Sequence, residues 1–248
     1  AFALRLNIYW MGKAQIFRFP FGPVMRWLGG IPVNRRSSNG LVSDTVERIE
    51  ASRRQGSVLW LAVAPEGTRS LTEGWRTGFY QVALGAQVPV GVQLYSFRNQ
   101  FKENIPQTLR AIKEMGIKVV EGGDSYGMAP AAFQKLLQQE GIEVASIGAD
   151  FQQLRNNIQS VIDNARLYGA RYVVCFWIPH KGQTLTSEEA SEAAVVFNDA
   201  GTRLRQVGLS LCYHPHGFEF DTMGNGTVFD HFVSLTKPED LNFEMDVF

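Results

Sequence analysis

The sequence predicts an α/β protein, in which an incomplete (β/α)8 barrel of about six βα units follows a smaller α/β segment. From Gly91 onward, short apolar runs alternate with longer amphipathic segments, and glycines close most of the latter. Strand, helix and glycine in repeated order are typical of a parallel sheet connected by helices. The apolar runs are nearly continuous, as expected for strands covered on both faces. No Gly-x-Gly-x-x-Gly fingerprint is present, which favours a barrel over an open, doubly wound sheet.

The elements of residues 91–248 follow in a regular order. Apolar runs predict strands at 91–96, 117–121, 142–148, 172–177, 207–213 and 243–246. Helical spacing predicts helices at 105–115, 129–140, 152–168, 187–207 and 227–235. A complete barrel usually needs ~250 residues. We therefore expect two βα units to be missing from this segment, which would leave the chain weakly active or inactive.

Residues 1–90 have a different character. An aromatic segment rich in proline and glycine (16–33) precedes a predicted helix (41–55) and a buried strand (58–64). The strand leads into Pro65-Glu-Gly-Thr-Arg-Ser70. Such a turn offers a guanidinium, a hydroxyl and backbone N–H groups to a phosphate. The alternative is a solvated turn.

The composition of the chain indicates which partners and which cellular compartment to expect. The 24 basic and 24 acidic residues cancel, so nothing indicates a nucleic-acid partner. Only Cys175 and Cys212 are present, both within apolar runs, which predicts buried thiols in a reducing, cytoplasmic compartment. No run approaches the ~20 apolar residues of a membrane span.

Imidazoles and carboxylates gather after the later predicted strands. His214, His216 and Glu219 follow the strand at 207–213, and Asp246 belongs to the last predicted strand. In a (β/α) barrel the carboxyl ends of the strands carry the chemistry. Imidazoles and carboxylates at neighbouring strand ends can bind a divalent metal. The alternative for Asp246 is a cap on a following helix.

Other residues near these strand ends allow two interpretations. Trp177 and Phe218 are either rim packing or platforms for a sugar. His180 either contacts substrate or belongs to a solvated loop, and His231 is expected to be a structural rim residue. Glu121 closes the second predicted strand, where it could face a substrate.

Four blocks of residues 1–90 resemble the glycerolipid acyltransferase family, of the lysophosphatidate type. They are Gly29-Gly-Ile-Pro-Val-Asn-Arg35, Pro65-Glu-Gly-Thr-Arg-Ser70, Trp75-Arg-Thr-Gly-Phe-Tyr80 and Val88-Pro-Val90. The resemblance implies 1-acylglycerol-3-phosphate O-acyltransferase-type activity in phospholipid biosynthesis, at a membrane surface. It also implies that a glycerol-phosphate lipid would be held by Arg35, Glu66, Gly67 and Arg69. The family's catalytic His-x-x-x-x-Asp is missing, since residues 1–90 contain no histidine. Without a general base, this segment is expected to be inert.

Four blocks of residues 91–248 resemble the sugar phosphate isomerase/epimerase family of xylose isomerase-like TIM barrels. They are Gly91-Val-Gln-Leu-Tyr-Ser-Phe-Arg98, Glu114-Met-Gly-Ile-Lys-Val-Val-Glu121, Tyr213-His-Pro-His-Gly-Phe-Glu-Phe220 and Asn242-Phe-Glu-Met-Asp246. The resemblance implies isomerisation or epimerisation of a small sugar or polyol through an enediolate. A divalent metal (Mn, Mg, Co or Zn) would polarise the substrate, with Asp246 as the strand-six ligand.

The resemblance also implies roles for the remaining polar residues of this segment. Either His214 or Glu219 would be the metal ligand from strand five, and the sequence does not choose between them. His216 and Glu121 join these two as candidate catalytic residues.

The predicted domains are residues 1–90 and 91–248, which meet without a linker. Three functions compete: a metal-dependent isomerase with an appendage, an acyltransferase joined to a barrel, and a non-functional fusion of two gene fragments. The sequence leaves the oligomeric state, the sugar and the metal open.

Overall fold

The computed structural model describes residues 8–18, 22–27, 30–33, 38–55, 60–62, 78–88, 91–122 and 124–244. The chain divides into two compact units, Ala1–Val90 and Gly91–Phe248. No helix in the described ranges is both long and apolar enough to cross a membrane.

The described residues of the first unit form a small parallel sheet and three α-helices. Its elements are β1 (Ile8–Lys13), α1 (Gly22–Trp27), β2 (Gly30–Val33), α2 (Ser38–Arg54), β3 (Trp60–Ala62) and α3 (Gly78–Gly85). The strand order is β2-β1-β3. Helices α2 and α3 pack together, and the Arg53 guanidinium donates a 3.0 Å hydrogen bond to the carbonyl of Ala86. The helix predicted at 41–55 and the strand predicted at 58–64 correspond to α2 and β3.

The second unit is an α/β assembly around one six-stranded sheet. In chain order its elements are β4 (Gly91–Gln93), α4 (Arg98–Glu103), α5 (Ile105–Glu114), β5 (Val119–Gly122), α6 (Pro130–Glu140), β6 (Glu143–Gly148), α7 (Phe151–Asn156), α8 (Ile158–Tyr168), β7 (Tyr172–Cys175), α9 (Ser187–Gln206), β8 (Ser210–Tyr213), β9 (Thr222–Met223), β10 (Gly226–Thr227), α10 (Val228–Leu235) and β11 (Asn242–Phe243). The strand order is β11-β8-β7-β6-β5-β4, and all neighbours pair in parallel. This is the predicted six-strand portion of a (β/α)8 barrel.

Local sequence signals account for the ends of several helices. Gly141 and Gly169 cap α6 and α8 in the left-handed conformation, as the repeat predicted. One prediction was wrong, because the single helix expected at 152–168 is two helices. Asn157 leaves helical geometry at φ −148°, and its side chain accepts a hydrogen bond from the Ser160 N–H. The pattern analysis also missed α4 and the short β9–β10 hairpin.

Helices α9 and α10 cover β8 through a cluster of aromatic rings. The rings of Phe197, Tyr213 and Phe232 are fully buried, with centroids 5.3 to 5.6 Å apart. Nearby, the backbone of Asp240 passes so close to α9 that a Cβ at Gly201 would lie 2.1 Å from the Asp240 carbonyl oxygen. The contact explains why glycine occupies a helix interior, where it normally costs about 1 kcal/mol relative to alanine.

Replacing Gly201 with alanine should therefore destabilise the protein despite the better helix propensity of alanine. We expect a loss of about 2 kcal/mol or more, because backbone has to move to admit the methyl group. Urea denaturation of Gly201→Ala measures it. A Cβ at Gly217 meets nothing within 4 Å, so Gly217→Ala is the control. A Gly201→Ala protein as stable as the parent would contradict the close approach.

Candidate active site

Each of three adjacent strands carries one polar side chain near its carboxyl end, and these three side chains lie next to one another. Glu121 of β5 pairs in register with Gln93 of β4 on one side and with Ser146 of β6 on the other. The Gln93 amide donates to Oε1 of Glu121 at 2.6 Å, and the Ser146 hydroxyl donates to Oε2 at 2.7 Å. The register of β5 and β6 shifts between Val120 and Glu121, and this shift brings Ser146 opposite Glu121. Glu121 is thus oriented from both sides.

A second carboxyl group meets Glu121 from the other end of the sheet. Glu244 directly follows β11, and its Oε1 lies 2.9 Å from Nδ1 of His214, which follows β8. Glu121 lies near enough to Glu244 for its carboxyl group to raise the pKa of Glu244. Glu121, Glu244 and His214 therefore form one connected group.

The proximity of two carboxyl groups changes the acidity of Glu244. Burial raises the pKa of the Glu244 carboxyl above its ordinary value, and the Glu121 carboxyl raises it further, while the contact with His214 lowers it. Because the folded state favours the protonated form of Glu244, the stability that this group contributes is present at low pH. That stability is lost as the pH rises through the raised pKa.

The two cysteines behave as the sequence predicted, as buried thiols without a disulfide. Burial raises the pKa of the Cys212 thiol to about 11, and the charges of Glu244 and Glu121 add to the increase. Burial likewise raises the pKa of the Cys175 thiol to about 12. Neither thiol is therefore a ready nucleophile.

An aromatic wall stands beside the carboxyl pair, and it consists of Trp177, His180, His216 and Phe218. Phe218 lies 4.7 Å from Trp177 and 4.2 Å from His180, between ring centroids, and its ring is stacked with that of His216 at 5.5 Å. The rings of His216 and His214 are 5.0 Å apart, so the wall adjoins the carboxyl pair. Trp177 is 51% exposed, which leaves a large apolar ring accessible to a ligand.

The loops that carry this wall are fixed by hydrogen bonds. The Leu185 N–H donates to the Phe218 carbonyl at 3.1 Å, which ties the loop after β7 to the loop after β8. Glu189 of α9 accepts from the backbone N–H groups of Lys181 and Thr186, both at 3.0 Å. His180 is held by a contact of 2.8 Å between its Nδ1 and the Ile178 carbonyl. The wall is therefore a constrained surface.

Glu219, predicted as a metal ligand and catalytic residue, lies in the core. The side chain is fully buried, and its two oxygens accept hydrogen bonds from the Tyr213 hydroxyl and from the His216 N–H. Burial and the contact with Glu219 raise the pKa of Tyr213. Both Glu219 oxygens are engaged away from the strand ends, so the geometry favours His214 as the candidate from strand five.

The other residues predicted from the sequence lie either at the positions given next or outside the described residues. His216 belongs to the aromatic wall, and His231 contacts the Ser191 hydroxyl at 3.0 Å between α10 and α9. Outside the described residues lie Asp246, Arg35, Glu66, Gly67 and Arg69.

Sequence reasoning missed Glu244, Gln93 and Ser146. The signal for Glu244 was its spacing of two residues from Asp246, since side chains two apart on a strand share a face.

The chemistry of the connected group suits a divalent cation, since carboxylates and imidazole are common ligands and a cation would relieve the repulsion of Glu121 and Glu244. Within the described ranges, however, no group of three or more His, Cys, Asp or Glu side chains is arranged to hold a metal ion.

Comparison with known proteins gives a family match for the first part of the chain. Residues 1–92 match the family model described as acyltransferase. No curated protein sequence matches the chain significantly.

Solved structures resemble the fold of the chain. A sugar phosphate isomerase/epimerase from Parabacteroides distasonis ATCC 8503 is 18% identical at a TM-score of 0.54, over 63% of this chain and 67% of that one. An AP endonuclease of family 2 from Brucella melitensis is 15% identical at 0.48, over 64% and 69%. A xylose isomerase-like TIM barrel protein from Mycobacterium smegmatis, in complex with magnesium, is 16% identical at 0.47, over 64% of each chain. The first structure confirms the predicted fold, and the chain spans about two thirds of its length.

Replacing Glu219 with alanine tests its place in the core. The change leaves the buried Tyr213 hydroxyl without its acceptor, so we expect a loss of about 3 kcal/mol in the free energy of unfolding. Glu239 is exposed, and Glu239→Ala serves as the control with little expected change. Chemical denaturation of both variants makes the comparison. Full stability of Glu219→Ala together with loss of Mn²⁺ binding would restore Glu219 as a ligand.

Proposed function

We propose that residues 91–248 move a proton between neighbouring carbons of a small sugar or polyol, in an isomerisation or epimerisation through an enediolate. The observation that carries the proposal is the Glu121 carboxyl group, held by two hydrogen bonds, with Glu244 and its partner His214 nearby. Carboxyl groups are common proton-transfer groups in enzymes. Such a group can take a proton from one carbon and return one to the next.

The chain's own residues have distinct roles in this proposal. Glu121 is the proton-transfer group, since hydrogen bonds fix both of its oxygens. Glu244 and His214 form the neighbouring partner that accepts or supplies charge. The aromatic wall would pack against the apolar face of the sugar and exclude water from the carboxyl pair.

A divalent cation fits the donor set of this site. Glu244 and His214, with Asp246 beyond the described residues, are the proposed ligands. When bound, a cation would supply polarisation of the substrate's carbonyl and hydroxyl oxygens.

Isotope exchange tests this function without a known substrate. The full chain is incubated with MnCl₂ in D₂O and a panel of aldoses and ketoses, with and without phosphate. We expect NMR to detect deuterium on the carbon next to the carbonyl of at least one sugar. Glu121→Gln and Glu244→Gln should each slow the exchange by about 10²-fold or more, since each removes a proton-transfer partner.

An exposed carboxylate provides the matched control for that experiment. Glu143 begins β6 at the opposite end of the strand, so Glu143→Gln should exchange as the parent does. Absence of exchange in every sugar, or exchange that survives both carboxyl substitutions, would refute the proposed function.

The acyltransferase match favours a second candidate function for residues 1–92. We propose that this segment binds a glycerol-phosphate lipid, with Arg35, Glu66, Gly67 and Arg69 around the phosphate. Arginine suits this role because its planar guanidinium forms paired hydrogen bonds with phosphate oxygens. Catalysis is not proposed, since residues 1–90 offer no histidine as a base.

Binding of lysophosphatidate to the full chain tests the second candidate. Arg35→Ala and Arg69→Ala should each weaken the affinity about tenfold or more, because each removes a charged hydrogen-bond donor. Arg54 is exposed on α2 beside Glu50, and Arg54→Ala is the control. Calorimetric titration gives the affinities, and equal values for all four proteins would contradict the proposal.

A further inference from the structure

Gln93 and Ser146 supply the two hydrogen bonds that fix Glu121, the proton-transfer group of the proposed function. They lie on the two strands that flank β5, and each donates a hydrogen bond to a different oxygen of Glu121. The interior of a (β/α) barrel is usually filled by branched apolar side chains. An amide and a hydroxyl at these positions therefore need a reason beyond packing.

The geometry around Glu121 restricts how that carboxyl can point. One oxygen accepts from the amide at 2.6 Å and the other from the hydroxyl at 2.7 Å, so rotation of the carboxyl group would break at least one bond. Ser146 is buried, and its hydroxyl reaches Glu121 because of the register shift beside Val120. Register shifts of this kind re-aim side chains, often next to active sites.

The groups that contact the two carboxyls differ in kind. Glu121 accepts from an amide N–H and a hydroxyl, which are both neutral donors. The arrangement is thus asymmetric, with neutral donors on Glu121 and an imidazole on Glu244.

We propose that Gln93 and Ser146 are positioning residues that hold the Glu121 carboxylate in the orientation required for proton transfer. The inference rests on the proposed function and assigns the base within the carboxyl pair. Glu121 takes a proton from the substrate carbon: the C–H bond breaks and an O–H bond forms on Glu121. The electron pair moves into the enediolate, and a proton passes from the substrate's hydroxyl oxygen to its carbonyl oxygen. The proton on Glu121 exchanges with solvent, and Glu121 then delivers a proton or deuteron to the neighbouring carbon.

The test combines a structural signal with the exchange assay. The full chain is labelled with ¹³C-glutamate, and the signal of Glu121 is identified as the one that disappears in Glu121→Gln. Gln93→Met and Ser146→Ala should both change the chemical shift of this signal. Ser146→Thr keeps the hydroxyl and should preserve it. Ser210→Ala, at the amino end of β8, is the matched control.

Rates separate positioning from a general loss of structure. In Gln93→Met and Ser146→Ala the maximal exchange rate should fall about 10- to 100-fold, with little change in the sugar concentration at half-maximal rate. Ser146→Thr should recover most of the rate. A role in stability alone would not produce this recovery or this split between the two constants.

The outcomes distinguish the inference from the function on which it rests. A Glu121 signal that is the same in the parent, Gln93→Met and Ser146→Ala overturns the positioning role, whatever the exchange rates are. Exchange rates unchanged in both variants overturn it as well. If the signal moves but the parent exchanges no sugar, the two residues hold Glu121 and the proposed function fails.

Discussion

The parallel pairing of the six strands determines where the polar groups of the second unit meet. Parallel strands all end at the same edge, so residues distant in sequence reach one place without any loop having to carry them. Glu121 belongs to β5 and Glu244 follows β11, and Glu121 lies near enough to raise the pKa of Glu244. Helices α9 and α10 hold β8 in place through buried rings, and His214, which follows β8, contacts Glu244. The packing of helices against β8 thus helps to position the His214 side chain.

Burial of these polar groups is tolerable because each has a partner. A carboxylate without hydrogen bonds in an apolar interior would cost several kcal/mol. Glu121 receives two neutral donors, Glu244 receives an imidazole, and Glu219 receives a hydroxyl and a backbone N–H. Among the described residues no buried side-chain nitrogen or oxygen lacks a partner. The polar groups of both networks have hydrogen-bond partners, but the networks differ in exposure. Glu219 is fully buried in the core, while Glu121 is half-buried.

Sequence patterns predicted the strands and the end of the sheet where polar residues gather, because apolar runs and glycine caps are local signals. They could not separate Glu219 from His214. The spacing His-x-x-Glu suggested one shared surface, but the chain turns after Tyr213 and directs Glu219 back to that ring. Ser146 was beyond prediction for another reason, since its place opposite Glu121 depends on a register shift between two strands. Non-local pairing of this kind leaves no mark in the sequence of either strand.

The carboxyl pair also constrains what the site can hold. Two neighbouring carboxylates repel each other, so near neutral pH the pair requires either a shared proton or a cation beside it. The raised pKa of Glu244 corresponds to the first solution, which the chain achieves with its own residues. A bound cation would relieve the repulsion in the second way and would displace the proton on Glu244. Metal binding and protonation of Glu244 therefore compete. This competition does not involve the partners of Glu121, because its two neutral donors would stay in place with or without a cation. The asymmetry favours Glu121 as the group that exchanges a proton with substrate and Glu244 as the group that responds to the cation.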